Sequence, residues 1–204
     1  MKIAVVGTGY VGLVSGTCFA ESGNDVICVD IDAEKVARLR NGESVIYEPG
    51  LDVLLHRNNK EKRLQFTTNL QEAVEAAEII FLALPTPPGE DGSADLRYIL
   101  GVANDIGLLL KSNPQYKVIV NKSTVPVGTA ELVKQQIQMH YTGDVDVVSN
   151  PEFLREGAAV DDFMKPDRVV IGCSSERAKK SMHQLYAPFV RQGNPIYFMD
   201  ERSA

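Results

Sequence analysis

Gly7, Gly9 and Gly12, spaced G-x-G-x-x-G, follow directly on the apolar run Met1 to Val6 and open a helical stretch that runs through Glu21. That spacing suits the holding of a pyrophosphate. Gly7 permits a tight strand-to-helix turn, Gly9 lets the backbone approach the phosphates, and Gly12 lets the helix sit close on its strand. The helix N-terminus adds free N–H groups and the positive end of its dipole. A second apolar run, Val26 to Val29, ends on Asp30. A carboxylate there accepts hydrogen bonds from a ribose diol and repels a 2′-phosphate, so the cofactor expected is NAD rather than NADP. Glycines alone also serve ordinary turns. Here strand before, helix after and acid at the right distance are separate conditions, and all are met.

A second constellation is Asn150-Pro151-Glu152-Phe153-Leu154-Arg155-Glu156-Gly157, just after the apolar run Val145 to Ser149. Two acids four apart, an arginine and two apolar residues leave a strand end together, where a ligand cleft lies. The alternative is a helix start with acids near the positive dipole end, worth a few tenths of a kcal/mol. The location favours function.

These residues need a scaffold of alternating strands and helices. Apolar runs at Met1–Val6, Val26–Val29, Leu64–Thr68, Ile79–Leu84, Val118–Asn121 and Val145–Ser149 give six strands, with helices between them at Ala33–Leu39, Leu51–Asn58, Leu70–Ala77, Asp95–Leu110 and Thr129–His140. The expected fold is α/β, a Rossmann-type doubly wound parallel sheet in the order 3-2-1-4-5-6. Two further strands, Arg168–Ile171 and Ile196–Met199, flank a helix from about Ser175 to Phe189 and extend the same sheet. The whole of 1–204 then reads as one NAD-binding unit, a six-strand core to about residue 150 followed by a strand-helix-strand extension. Loops at Pro85–Ser93 and Lys122–Gly128 lie at carboxyl ends of strands, where open α/β sheets bind ligands.

Length and composition agree. A chain of 204 residues suits one large domain. A net charge of −6 without basic clusters argues against nucleic acid. No apolar run reaches the ~20 residues of a membrane span, and the first segment reads as a core strand rather than a signal peptide. The expectation is a cytoplasmic protein with neither nucleic-acid nor membrane partner. The three cysteines fit no metal or disulfide spacing, and no metal site is expected. Cys18 and Cys28 read as core residues; Cys173, after a strand, is the one placed for exposure, though also structural in character. His56, His140 and His183 read as surface residues. The final Met199 to Ala204 resembles the start of another helix, so the chain is expected to continue.

Gly7 to Gly12, Val29 to Asp32 with Lys35, Tyr47 to Leu51, Pro85 to Pro87, Lys122 to Gly128, Asn150 to Gly157 and Lys165 to Arg168, in that order, together resemble the UDP-glucose/GDP-mannose dehydrogenase family. The resemblance covers the whole chain. It implies a four-electron oxidation of a sugar-nucleotide primary alcohol to a carboxylate, using two NAD and water, through an aldehyde captured by a cysteine and hydrolysed as a thioester. UDP-glucose is the substrate it favours, with GDP-mannose and a non-catalytic NAD-binding module as alternatives.

Carried over by position, Val11, Asp30, Lys35, Thr86, Thr124 and Glu156 would contact NAD, with Tyr10 and Ser123 in the same site. Lys35 would reach the adenosine ribose region, although a solvated helix lysine reads the same way without the resemblance. Thr124 would also order a water near the reacting carbon, and Glu152 would be the general base for thioester hydrolysis. Glu152, Phe153, Leu154, Arg155 and Glu156 would lie against the sugar nucleotide. Tyr47 to Leu51 is explained well enough by its Pro-Gly turn. The resemblance also implies a further half, bearing the nucleophilic cysteine and most of a homodimer interface. None of Cys18, Cys28 or Cys173 stands in that cysteine's glycine-rich context.

Overall fold

Strands here are apolar on both faces because both faces are covered. Ile79 and Phe81 enter one core cluster, while Ile80 and Leu82 enter the other. In the computed structural model, which describes residues 1–89, 92–191 and 193–204, the elements are β1 (Lys2–Val6), α1 (Tyr10–Glu21), β2 (Asp25–Val29), α2 (Ala33–Arg40), α3 (Leu51–Lys60), β3 (Leu64–Thr67), α4 (Leu70–Ala76) and β4 (Ile79–Leu82). They continue with α5 (Arg97–Ser112), β5 (Lys117–Asn121), α6 (Thr129–Gln138), β6 (Val145–Ser149), α7 (Ala159–Met164), β7 (Val169–Gly172), α8 (Glu176–Tyr186) and β8 (Ile196–Met199). One eight-stranded sheet runs β3-β2-β1-β4-β5-β6-β7-β8. The expected six-strand order and its extension into the same sheet both hold. Glu90 and Asp91, within the loop expected at Pro85–Ser93, lie outside the described residues.

Capping side chains set several helix starts. Asp32 accepts from the amides of Glu34 and Lys35, and Asn69 and Ser175 cap α4 and α8. Helix α1 behaves differently, being buried from Gly12 through Ala20 because α3 and α7 cover its outer side. Phe19 on α1 meets Phe81 of β4 at 4.9 Å, Phe163 of α7 at 5.0 Å, Tyr186 of α8 at 5.7 Å and Phe189 at 6.0 Å between ring centroids. Offset and edge-on aromatic packing of this kind ties α1 to the last third of the chain.

Two expectations need correction. The sheet is not parallel throughout: β7 runs antiparallel to β6, meeting it at Ser149 and Gly172, before β8 pairs in parallel with β7. Helix α7, absent from the sequence reading, begins at Ala159, so Asn150 to Gly157 is a non-helical strip and the helix-start alternative for it does not hold. Cys173 is 2% exposed, as buried as the other two cysteines, because β7 is itself covered by α8. Among the described residues no helix is long and apolar enough to cross a membrane.

Candidate functional site

The order reverses direction between β1 and β4, and a cleft of about 610 Å³ opens there at the carboxyl ends of β1, β2, β4 and β5. Gly7, Gly9, Tyr10, Val11, Asp30, Lys35, Thr86, Ser123 and Thr124 all line it. Its glycine floor is a cradle that side chains would fill. A Cβ on Gly7, at φ 99°, would stand 2.3 Å from the Ala83 carbonyl oxygen, and one on Gly12 would stand 1.9 Å from the Gly7 carbonyl oxygen. The Gly9 position faces open space, and no side chain caps the first turn of α1. Its amides are left to a ligand, as an incoming pyrophosphate requires. Gly12 packs beneath the cleft instead of lining it.

Asp30 is already well held. Its Oδ2 accepts from Lys35 Nζ at 2.8 Å and from the Thr8 amide at 3.0 Å and hydroxyl at 2.5 Å, while Oδ1 accepts from the Asp32 amide at 3.1 Å. Burial pushes this carboxyl up, but the Lys35 ammonium and the Thr8 and Asp32 donors outweigh it and hold it at about 2. Asp30 is therefore a fixed anion, with Oδ1 the less occupied oxygen. Lys35 spends its charge on Asp30. Across the cleft, the Thr86 hydroxyl donates to the Thr124 carbonyl at 3.0 Å and Ser123 Oγ to the Leu84 carbonyl at 2.6 Å. These bonds tie the exits of β4 and β5 together.

A second cavity, about 580 Å³, is lined by Glu152, Phe153, Leu154 and Arg155 with Lys122, Asn150, Asp162, Lys165 and Arg168 among others. Lys122 lines this cavity and Ser123 the other, so the exit of β5 is the wall between them. Glu152 accepts from the Leu154 amide at 2.5 Å, Arg155 grips Asp162 with two nitrogens, and the Arg168 guanidinium stacks 4.4 Å from the Phe153 ring. Glu156 is exposed and lines neither cavity. Among the described residues no cluster of three or more His, Cys, Asp and Glu side chains could hold a metal ion.

Residues 1–190 match the NAD binding domain of the UDP-glucose/GDP-mannose dehydrogenase family. The chain belongs to this family. As its NAD binding domain, it takes NAD as its cofactor. A UDP-glucose 6-dehydrogenase of Pseudomonas aeruginosa is 51% identical over 209 residues, which cover all of this chain and 46% of that protein. A solved UDP-glucose dehydrogenase from Pyrobaculum islandicum is 42% identical with a TM-score of 0.93, covering 98% of this chain and 46% of that one. A GDP-mannose dehydrogenase from Pseudomonas aeruginosa superposes with a TM-score of 0.94 at 32% identity, covering 100% of this chain and 47% of that one. The chain thus spans about half the length of these relatives, and it matches their N-terminal, NAD-binding part.

Two buried charged residues stand close to these features. Glu48, in the turn segment before α3, is a buried carboxylate at 4% exposure, which a Pro-Gly turn alone does not explain. Lys122, at 4% exposure, has Asn150 Oδ1 at 3.3 Å, the Tyr186 hydroxyl at 3.4 Å, and the Phe163 and Tyr186 rings 5.6 and 5.8 Å away. Its signal was a charged residue ending an apolar strand. Burial pulls the Lys122 ammonium down to about 8, against the opposing pull of the Glu152 charge. His140 is half-buried and bonds Asn104 at 2.8 Å rather than standing free on the surface.

The Lys122 shift carries a stability signature. Its folded value lies below the ordinary 10.5, so from about pH 8 to 10.5 the unfolded chain holds a proton that the folded chain has released. Its contribution therefore becomes more favourable as pH rises through that window, by about 3 kcal/mol at 1.36 kcal/mol per pKa unit. Lys122→Met removes the buried charge. In urea denaturation its stability relative to the parent should be highest near pH 7.5 and fall by roughly that amount by pH 10.5. A difference that stays flat with pH would show Lys122 to be solvated.

Proposed function

We propose that this chain is the cofactor half of a UDP-glucose 6-dehydrogenase, in which RCH₂OH, two NAD⁺ and water give RCOO⁻, two NADH and three protons. The observation that carries the reading is the pairing of a fitted NAD cleft with a separate cavity bearing Glu152, adjacent residues at the exit of β5, Lys122 and Ser123, lining one each. The higher identity to the UDP-glucose enzymes supports this substrate over GDP-mannose, since fold similarity alone does not separate them.

When bound, NAD supplies a hydride acceptor. The chain's own residues would orient it: the glycine cradle and the first turn of α1 would hold the pyrophosphate, and Asp30 would hold the ribose. In the second cavity Glu152 would take a proton from the water that attacks the thioester, with Thr124 ordering that water from the adjacent cleft. A general base must be ionised, and general-base assistance is typically worth ~10²–10⁴-fold.

The nucleophilic cysteine would come from outside this chain. Burial raises the Cys18 and Cys173 thiols, and pushes Cys28 up to about 12, so none is a ready thiolate. The isolated chain, given UDP-glucose and NAD, is accordingly expected to produce no steady NADH, because the second oxidation needs a covalently held aldehyde adduct. Absorbance at the NADH band tests this. Sustained production that Cys173→Ser abolishes would overturn it. For the substrate, full-length enzyme should oxidise UDP-glucose and leave GDP-mannose untouched; the reverse would make it a GDP-mannose enzyme.

A further inference from the structure

Glu48 has no basic side chain among its described partners. Its carboxylate is held by neutral donors that converge from two distant stretches of chain. The Tyr10 hydroxyl and the Gly157 amide, at 2.9 Å, donate to Oε2, and the Ala159 amide donates to Oε1 at 2.8 Å. Tyr10 is the first residue of α1 and lines the NAD cleft. Gly157 and Ala159 close the strip that carries Glu152 and Glu156 and begin α7, whose own N-cap residue Ala158 offers no side-chain acceptor. Glu48 thus caps that helix from elsewhere in the chain. The Tyr10 hydroxyl also lies 3.4 Å from the Arg155 carbonyl oxygen, on the same strip.

We propose that Tyr10 and Glu48 form a positioning pair that clamps the Glu152–Gly157 strip onto the first turn of α1, holding the base of one cavity in fixed relation to the cofactor in the other. This rests on the reading of Glu152 given above. Chemistry that needs a group placed to within a fraction of an ångström is sensitive to such second-layer contacts. Electrostatics agree with the geometry. Burial pushes Glu48 up, yet the Tyr10 hydroxyl and the amides of Gly157, Ala159 and Val160 hold it below the usual carboxylate range. Burial, then the bond to Glu48, raises the Tyr10 phenol, so it stays a donor at any working pH.

The test uses the full-length enzyme with NAD and UDP-glucose. Tyr10→Phe deletes only the hydroxyl, while Glu48→Gln puts an amide donor among donors. Hydrogen exchange at the amides of Leu154 to Val160 should rise about tenfold or more in both variants, as expected for losing bonds to a buried charged group, with the middle of α1 unaffected. Acid release should slow about tenfold in both variants, and in Glu48→Gln, whose side chain lines neither cavity, NAD affinity should stay within about twofold. The double variant should be no slower than Glu48→Gln alone, because the two act as a unit. Unchanged exchange in Tyr10→Phe, additive rate losses, or a fall in melting temperature with unchanged turnover would each overturn the clamp. Raised exchange together with normal thioester hydrolysis in Glu152→Gln would keep the clamp and discard the base assignment.

Discussion

Glu152→Gln in the full-length enzyme is expected to give a burst of NADH in the first turnover and then a steady state ~10²–10⁴-fold slower than the parent. Glutamine keeps the size of the side chain and an oxygen that can accept from the Leu154 amide, as Glu152 Oε2 does at 2.5 Å. What it loses is basicity. Alcohol oxidation and thioester formation would be spared, and a covalent adduct on the cysteine of the other half should accumulate and be visible by mass spectrometry. Normal turnover, with neither burst nor adduct, would move the hydrolytic role to another group. Thr124, which lines the neighbouring cleft, would be tested next.

The isolated chain should bind NAD ~10²-fold more tightly than NADP. Two unit charges ~4 Å apart at an effective dielectric of ~20 repel by roughly 4 kcal/mol, and each 1.4 kcal/mol is about tenfold in affinity. The Lys35 ammonium, 2.8 Å from Asp30, offsets part of this repulsion, so the expected preference is ~10²-fold rather than the ~10³-fold of an unpaired carboxylate. With its carboxyl held at about 2, Asp30 stays charged at every pH used for binding. Asp30→Ala should weaken NAD binding and narrow the preference, since it removes the diol acceptor and frees Lys35 for a phosphate. Equal calorimetric affinities of the unmutated chain for the two cofactors would refute the assignment.

The NAD cleft was legible because its parts are local. Gly7, Gly9 and Gly12 sit within one turn, and Asp30 ends the very next strand. The second cavity was legible only by position, as the exit of β6. Glu48 was hidden because its partners lie 38, 109 and 111 residues away, and no pattern within a turn announces a carboxylate that will be capped by distant amides. Lys122 opens the Lys122 to Gly128 loop, yet nothing in its sequence neighbours foretells the two aromatic rings of α7 and α8 that bury it. The reversal of β7 is illegible for another reason: apolar runs mark strands but not their direction. Helix α7 is six residues long with two acids in its first turn, too short for a helical period to show.

The Phe19 cluster sets where this scaffold can be divided. Helix α1 carries the cofactor cradle at its start and, in its last turn, a ring wedged against Phe163, Tyr186 and Phe189. A swap between relatives made after β6, the boundary that strand counting suggests, would mate one parent's aromatic socket with another parent's plug. The cofactor helix and the segment from α7 to β8 are consequently a single inheritance unit, and chimaeras of this domain are best joined beyond β8.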